Sequence, residues 1–156
     1  MEQKAKKCIQ TSFPSRLGTE KTAMELIEPF LQQAGASLSR LEDIKTLVSE
    51  ACLNAIEHGN AMDERKSYRL ELQYEDNCLT IRVEDEGGRS RWSKSPQFQP
   101  IDRVMETDGE PRGWGLQIID QLADAWQYHV SDHGTRFEIT VNMQAEGGGG
   151  LSEYRS

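Results

Sequence analysis

Residues 41–59 constrain the fold more than any other stretch. Leu41, Ile44, Leu47, Val48, Ala51 and Ala55 recur at helical spacing and make one apolar face, so this segment reads as a helix that must pack on something. The same helix carries Glu50, Asn54 and His58 at four-residue intervals. Residues four apart on a helix lie nearly above one another, so the three polar heads share a stripe. A carboxylate can accept a proton and an amide oxygen can hold a hard cation, which makes the stripe the candidate active centre.

The flanking sequence surrounds this helix with strands. Residues 7–13 alternate weakly and predict an edge strand. Pro14-Ser15 is expected to open a first helix through Leu17, Met24, Ile27, Leu31 and Ala34, with Pro29 bending or interrupting it and Gly35 closing it. Ser39 followed by Glu42 reads as a capping box for the central helix, which Gly59-Asn60 ends. Residues 68–74 and 79–85 form an expected hairpin joined across Glu75-Asp76-Asn77. Residues 86–112 lack periodicity apart from a short helix near 101–105 and read as a lid. Residues 113–125 return to helical period through Leu116, Ile119, Leu122 and Ala123, and 126–131 with 136–141 predict a second hairpin turning at Asp132-His133-Gly134-Thr135. The expected class is α+β: a two-layer sandwich with helices on one face of a mixed, mostly antiparallel sheet. One domain is expected over residues 1–143, followed by a disordered glycine-rich tail over 144–156.

Charge and cysteine content narrow the partners. The 156 residues carry a net charge of -8, with pI near 4.9. That balance argues against nucleic acid or an anionic membrane, both of which need clustered Lys and Arg. Cys8, Cys52 and Cys78 are odd in number and far apart, as expected for reduced thiols of a cytoplasmic protein. No stretch approaches the roughly 20 apolar residues of a membrane span.

Four short motifs stand in a fixed order. They are E-x-x-x-N-x-x-x-H-G (Glu50, Asn54, His58, Gly59), D-x-G (Asp85, Gly87), G-x-G-L (Gly113, Gly115, Leu116) and G-T (Gly134, Thr135). Together they resemble the N, G1, G2 and G3 boxes of the histidine-kinase-like ATPases, the GHKL superfamily. The wording S-E-A-C-x-N-A-x-x-H-G and the early F-P-S-R-L are similar to the bacterial anti-sigma-factor serine/threonine kinases. The resemblance implies the histidine-kinase-like ATPase fold, with ATP and Mg²⁺ as cofactors. It implies that Glu50 is the general base, Asn54 the Mg²⁺ ligand and His58 a neighbour of the nucleotide. Asp85 would accept from the adenine amino group, Gly87 would admit the ring, and Thr135 would support both. Arg112, Gly113, Gly115 and Leu116 would belong to the phosphate-facing turn and helix start.

As further implications, the protein would be a homodimer that binds a sigma factor and phosphorylates a STAS-domain anti-anti-sigma partner. Arg16 would lie where partners and the dimer surface meet. Arg89 stands where a full D-x-G-x-G would have its second glycine, which motivates a second reading: an ATP-gated module that sequesters a regulatory partner without catalysis. The ATPase half of a two-component histidine kinase is the least expected reading, since F-P-S-R-L argues against it. Trp114, His129 and His133 carry no assigned role.

Overall fold

The computed structural model describes residues 6–87 and 115–143. Strand β1 (Lys7–Pro14) leads into helix α1 (Thr19–Gln33), helix α2 (Leu38–Asn54) and a π-helical turn (Ala55–Gly59). Strands β2 (Ser67–Glu75) and β3 (Cys78–Glu84), helix α3 (Gly115–Leu122) and strands β4 (Ala125–Ser131) and β5 (Gly134–Asn142) follow. The sheet order is β1-β2-β3-β5-β4, and every neighbouring pair is antiparallel, so the expected mixed sheet is an antiparallel one. β1 lies at an edge, as its weak alternation predicts.

Strand alternation builds the core. Leu70, Leu72, Leu79, Ile81, Val83, Phe137, Ile139 and Val141 point to one face and are buried. Against them lie Leu41, Ile44, Leu47, Val48 and Ala51 of α2, with Ala23, Ile27 and Leu31 of α1 in the same cluster. The register Leu72–Ile81–Ile139 places three branched side chains in a row across the sheet. Truncating one such residue to alanine costs about 2–5 kcal/mol. The opposite face is polar: Arg82 donates to Glu138 at 2.7 Å and to Glu71 at 3.2 Å, and Gln127 donates to Glu138 at 3.0 Å. No helix among the described residues is long and apolar enough to cross a membrane.

Several boundaries differ from expectation, each for a local reason. Pro14 ends β1, and α1 begins only at Thr19, so Arg16 sits in a turn and not in a helix. Pro29 does not interrupt α1, because the buried Ile27 and Leu31 on either side hold it against the core. Gly35, at φ 91°, closes α1: its N–H donates to Gln32 O and that of Ala36 to Leu31 O, both at 3.1 Å, as in a Schellman motif. The cap of α2 is Ser37, whose Oγ accepts from Arg40 N at 3.2 Å. Ser39 already lies inside the first turn, so its capping box with Glu42 is not formed.

Both hairpins are tighter than the motifs indicate. Asp76 and Asn77 have φ of 54° and 64°, the double left-handed signature of a two-residue type I′ turn, with Glu75 paired to Cys78. Ser131 pairs with Gly134, so the second turn is Asp132-His133 alone, and Gly134 and Thr135 open β5. Helix α3 ends at Leu122 and Ala125 has joined β4, shortening the expected helix over 113–125. From residue 88 on, the expected lid and short helix, with Arg89, Arg112, Gly113 and Trp114, lie outside the described residues, as does the glycine-rich tail from residue 144.

Candidate functional site

The C-terminal end of α2 meets the ends of β3 and β5. Glu50 and Asn54 stand one turn apart in regular α-helix, Glu50 half-buried and Asn54 only 6% exposed. Asn54 Nδ2 is buried without a hydrogen-bond partner among the described residues. An unsatisfied buried amide costs about 1–3 kcal/mol, so this side chain is retained against the interest of the fold. Immediately after it the helix widens into the π turn, where Asn60 N reaches back to Ala55 O at 2.8 Å. Such turns recur at functional sites. His58 lies in this turn, half-buried, where the four-residue rule of the α-helix no longer sets its direction.

Asp85 is the centre of the second half. Its N–H donates to Thr135 O at 2.9 Å, so the β3–β5 ladder continues to this point. Its Oδ1 accepts from Gly87 N at 2.9 Å and from Thr135 N at 3.1 Å. Burial nevertheless pushes the carboxyl up to about 6, with those two N–H groups only moderating the desolvation.

Three glycines permit the close approaches around Asp85. A Cβ on Gly59 would overlap Asp85 Oδ2 and Cγ and reach within 2.8 Å of Oδ1. One on Gly87 would strike the Gly59 carbonyl, and one on Gly134, which sits at φ 153°, would strike the Asp85 carbonyl. The glycines of three separate motifs are therefore packing requirements of one cradle.

Between these halves runs a crevice with Asn54, Asp85 and Thr135 as its polar groups and Ala51, Val83 and Phe137 among its apolar walls. Thr135 is 4% exposed, and its Oγ1, like Asn54 Nδ2, has no hydrogen-bond partner among the described residues. Two polar atoms without partners among the described residues, and a desolvated carboxylate beside them, are groups whose hydrogen bonding an amino-bearing ring would satisfy. The donor set thus fits a nucleotide base at Asp85 and Thr135, and leaves an amide at Asn54 for a cation of oxygen preference.

Asn54, Asp85, Gly87 and Thr135 are brought to this corner from the end of α2, the segment after β3 and the start of β5, and Glu50 stands one helical turn before Asn54. Gly115 opens α3, and Leu116 packs half-buried against the core beside the fully buried Ile119. His129 and His133 are exposed on β4 and its turn. One residue escaped the sequence reading: Asn60, 1% exposed, whose Oδ1 accepts from Glu86 N at 2.8 Å. An Asn after a helix-ending Gly reads only as a terminator, and nothing local reveals its distant partners.

Residues 13–141 match the histidine kinase-like ATPase domain. The chain is 35% identical over 139 residues to an anti-sigma F factor of Clostridium perfringens strain SM101, covering 86% of this chain and 96% of that protein. It is also 35% identical over 119 residues to the anti-sigma F factor of Geobacillus thermodenitrificans, covering 74% and 78%. Among solved structures, the RsbU and RsbW domains of Rv1364c from Mycobacterium tuberculosis superpose with a TM-score of 0.64 at 19% identity, over 88% of this chain and 32% of that one. The SiaB-SiaC complex from Pseudomonas aeruginosa gives 0.59 at 12% identity, over 85% and 88%. At those identities the two structures share the fold. Matched across nearly its whole folded length, the chain belongs to the histidine kinase-like ATPase family, in the group that contains the anti-sigma factors.

Proposed function

We propose that this protein is an ATP- and Mg²⁺-dependent protein serine/threonine kinase that acts as an anti-sigma factor. The observation that carries the reading is the cradle of Gly59, Asp85, Gly87 and Thr135 beside a helix bearing Glu50 and Asn54. Asp85 and Thr135 would hold the adenine, Gly87 would let the backbone approach it, and Asn54 would hold Mg²⁺. Arg112, Gly113, Gly115 and Leu116 would form the phosphate-facing turn and helix start, with His58 beside the nucleotide. Bound ATP supplies the phosphoryl donor. Glu50 orients the acceptor hydroxyl and takes its proton late in the transfer, a task within reach of a weak base because the transition state is loose.

The acceptor would be a serine or threonine on a STAS-domain anti-anti-sigma protein, and the second partner a sigma factor. Relatives named as anti-sigma F factors support the sigma-factor partner. Arg16, exposed in the turn between β1 and α1, would contact a partner. A cytoplasmic homodimer over a domain of residues 1–143 completes the proposal.

The test is transfer from labelled ATP to candidate STAS proteins by the wild type and by Glu50→Gln. The kinase reading expects phosphoprotein with the wild type, and a loss of transfer with unchanged ATP affinity in the variant. ATP binding by the wild type without transfer to any STAS protein would instead identify a nucleotide-gated binding module.

A further inference from the structure

Asn60 uses its entire amide. Nδ2 donates to Ser15 Oγ at 2.6 Å and to Ser67 O at 3.0 Å, while Oδ1 accepts from Glu86 N at 2.8 Å. Ser15 is itself buried, and its N–H donates to Lys66 O at 3.0 Å. One side chain therefore ties the segment after β3, which carries Asp85 and Gly87, to the turn between β1 and α1. The far side of that turn is tied through Thr19, whose Oγ1 donates to Arg16 O at 2.9 Å and meets Tyr68 Oη at 2.7 Å. Between these anchors Arg16 and Leu17 face solvent, Leu17 at 50% exposure.

The contact transmits displacement for a steric and a polar reason. The Gly59 carbonyl lies where a Cβ on Gly87 would go, so the two backbones cannot slide past one another independently. An amide that follows Glu86 N must also swing Nδ2 relative to Ser15 Oγ. Both groups are buried, so a broken bond there is not replaced by bulk water.

We propose that Asn60 is a positioning residue that couples occupancy of the Asp85 cradle to the order of the Arg16–Leu17 turn, so that bound nucleotide stiffens the surface presented to a protein partner. The coupling rests on the nucleotide reading above and adds to it the route by which the site reaches the partner face. Being a coupling free energy, it acts in both directions.

Hydrogen exchange of residues 15–21 tests this in the full chain, with Mg²⁺ and the non-hydrolysable analogue AMP-PNP as the probe. The amides of Arg16, Thr19 and Lys21 are bonded within the turn, to Pro14 O, Arg16 O and Gly18 O, and report its opening. AMP-PNP is expected to slow their exchange roughly fivefold or more in the wild type. In Ser15→Ala that slowing should fall below about twofold while AMP-PNP affinity stays near wild type; the urea midpoint falls, because Asn60 Nδ2 loses a buried acceptor. Asn60→Asp keeps an acceptor for Glu86 N but loses both donors, and should behave likewise; if it does not fold, Ser15→Ala decides alone. Unchanged slowing in Ser15→Ala, or AMP-PNP binding that leaves the turn's exchange unaltered in the wild type, overturns the coupling. Failure of AMP-PNP to bind the wild type at all overturns the nucleotide reading, and the coupling with it.

Discussion

Replacing Asp85 by Asn should strengthen the fold and weaken nucleotide binding at once. Burial pushes the carboxyl up to about 6 in the folded chain, from an ordinary value of 3.8. The folded state therefore binds its proton more tightly than the unfolded state does. The favourable contribution is complete below the unfolded value and is lost as pH rises through about 6, so above that pH the ionised carboxylate opposes folding. A difference of about two pKa units corresponds to roughly 3 kcal/mol. Asparagine is the neutral isostere, and its Oδ1 can still accept from Gly87 N and Thr135 N, so it should recover about 1–3 kcal/mol at pH 7.5. For a chain of this size that is a rise in Tm of roughly 2–12 °C. Urea melts of both proteins at pH 7.5 and 4.5 measure it, and the advantage of the variant should shrink at the lower pH as the wild-type carboxyl is protonated. ATP affinity should fall roughly tenfold to hundredfold, the worth of a hydrogen bond to a charged acceptor. A variant less stable than wild type at pH 7.5, or an advantage equal at both pH values, would refute the desolvation argument.

Other perturbations probe the same corner. Gly59→Ala forces a methyl into the Asp85 carboxylate and should cost about 1–3 kcal/mol by overpacking while abolishing binding of a fluorescent ATP analogue; normal binding would show that Asp85 can be displaced without consequence. Asn54→Leu removes an amide whose Nδ2 has no partner among the described residues, so stability should hold or rise by up to about 1–3 kcal/mol, with the Mg²⁺ dependence of nucleotide binding lost. A large stability loss on calorimetry would make Asn54 structural instead. Tyr68→Phe deletes the 2.7 Å contact with Thr19 Oγ1 inside the core and should lower the unfolding free energy, read from urea melts, by about 1 kcal/mol or slightly more; no change would mean that the contact contributes nothing net.

Periodicity made the central helix, both hairpins and the edge strand legible, because each depends on side chains that are neighbours in sequence. Boundaries were less so. Pro14-Ser15 looks like a helix start, yet Ser15 is drawn to Asn60 and the helix waits until Thr19. Ser39 with Glu42 spells a capping box as well as Ser37 spells a cap, and the Gly35 closure of α1 places Ser37 in the extended conformation a cap requires.

The candidate site divides along the same line. Sequence alone singled out Glu50, Asn54, Asp85, Gly87 and Thr135 as candidates, since they sit in short motifs whose internal spacing is local. Only the tertiary structure decided why the glycines are there: Gly59, Gly87 and Gly134 are each excluded from bearing a Cβ by a backbone or carboxylate from another part of the chain. It also decided that Asp85 is desolvated, that two polar atoms in the crevice lack partners among the described residues, and that Asn60 joins the cradle to the Arg16 turn. Burial, close approach and hydrogen bonding between residues tens of positions apart are properties of the packed chain, and no local pattern encodes them.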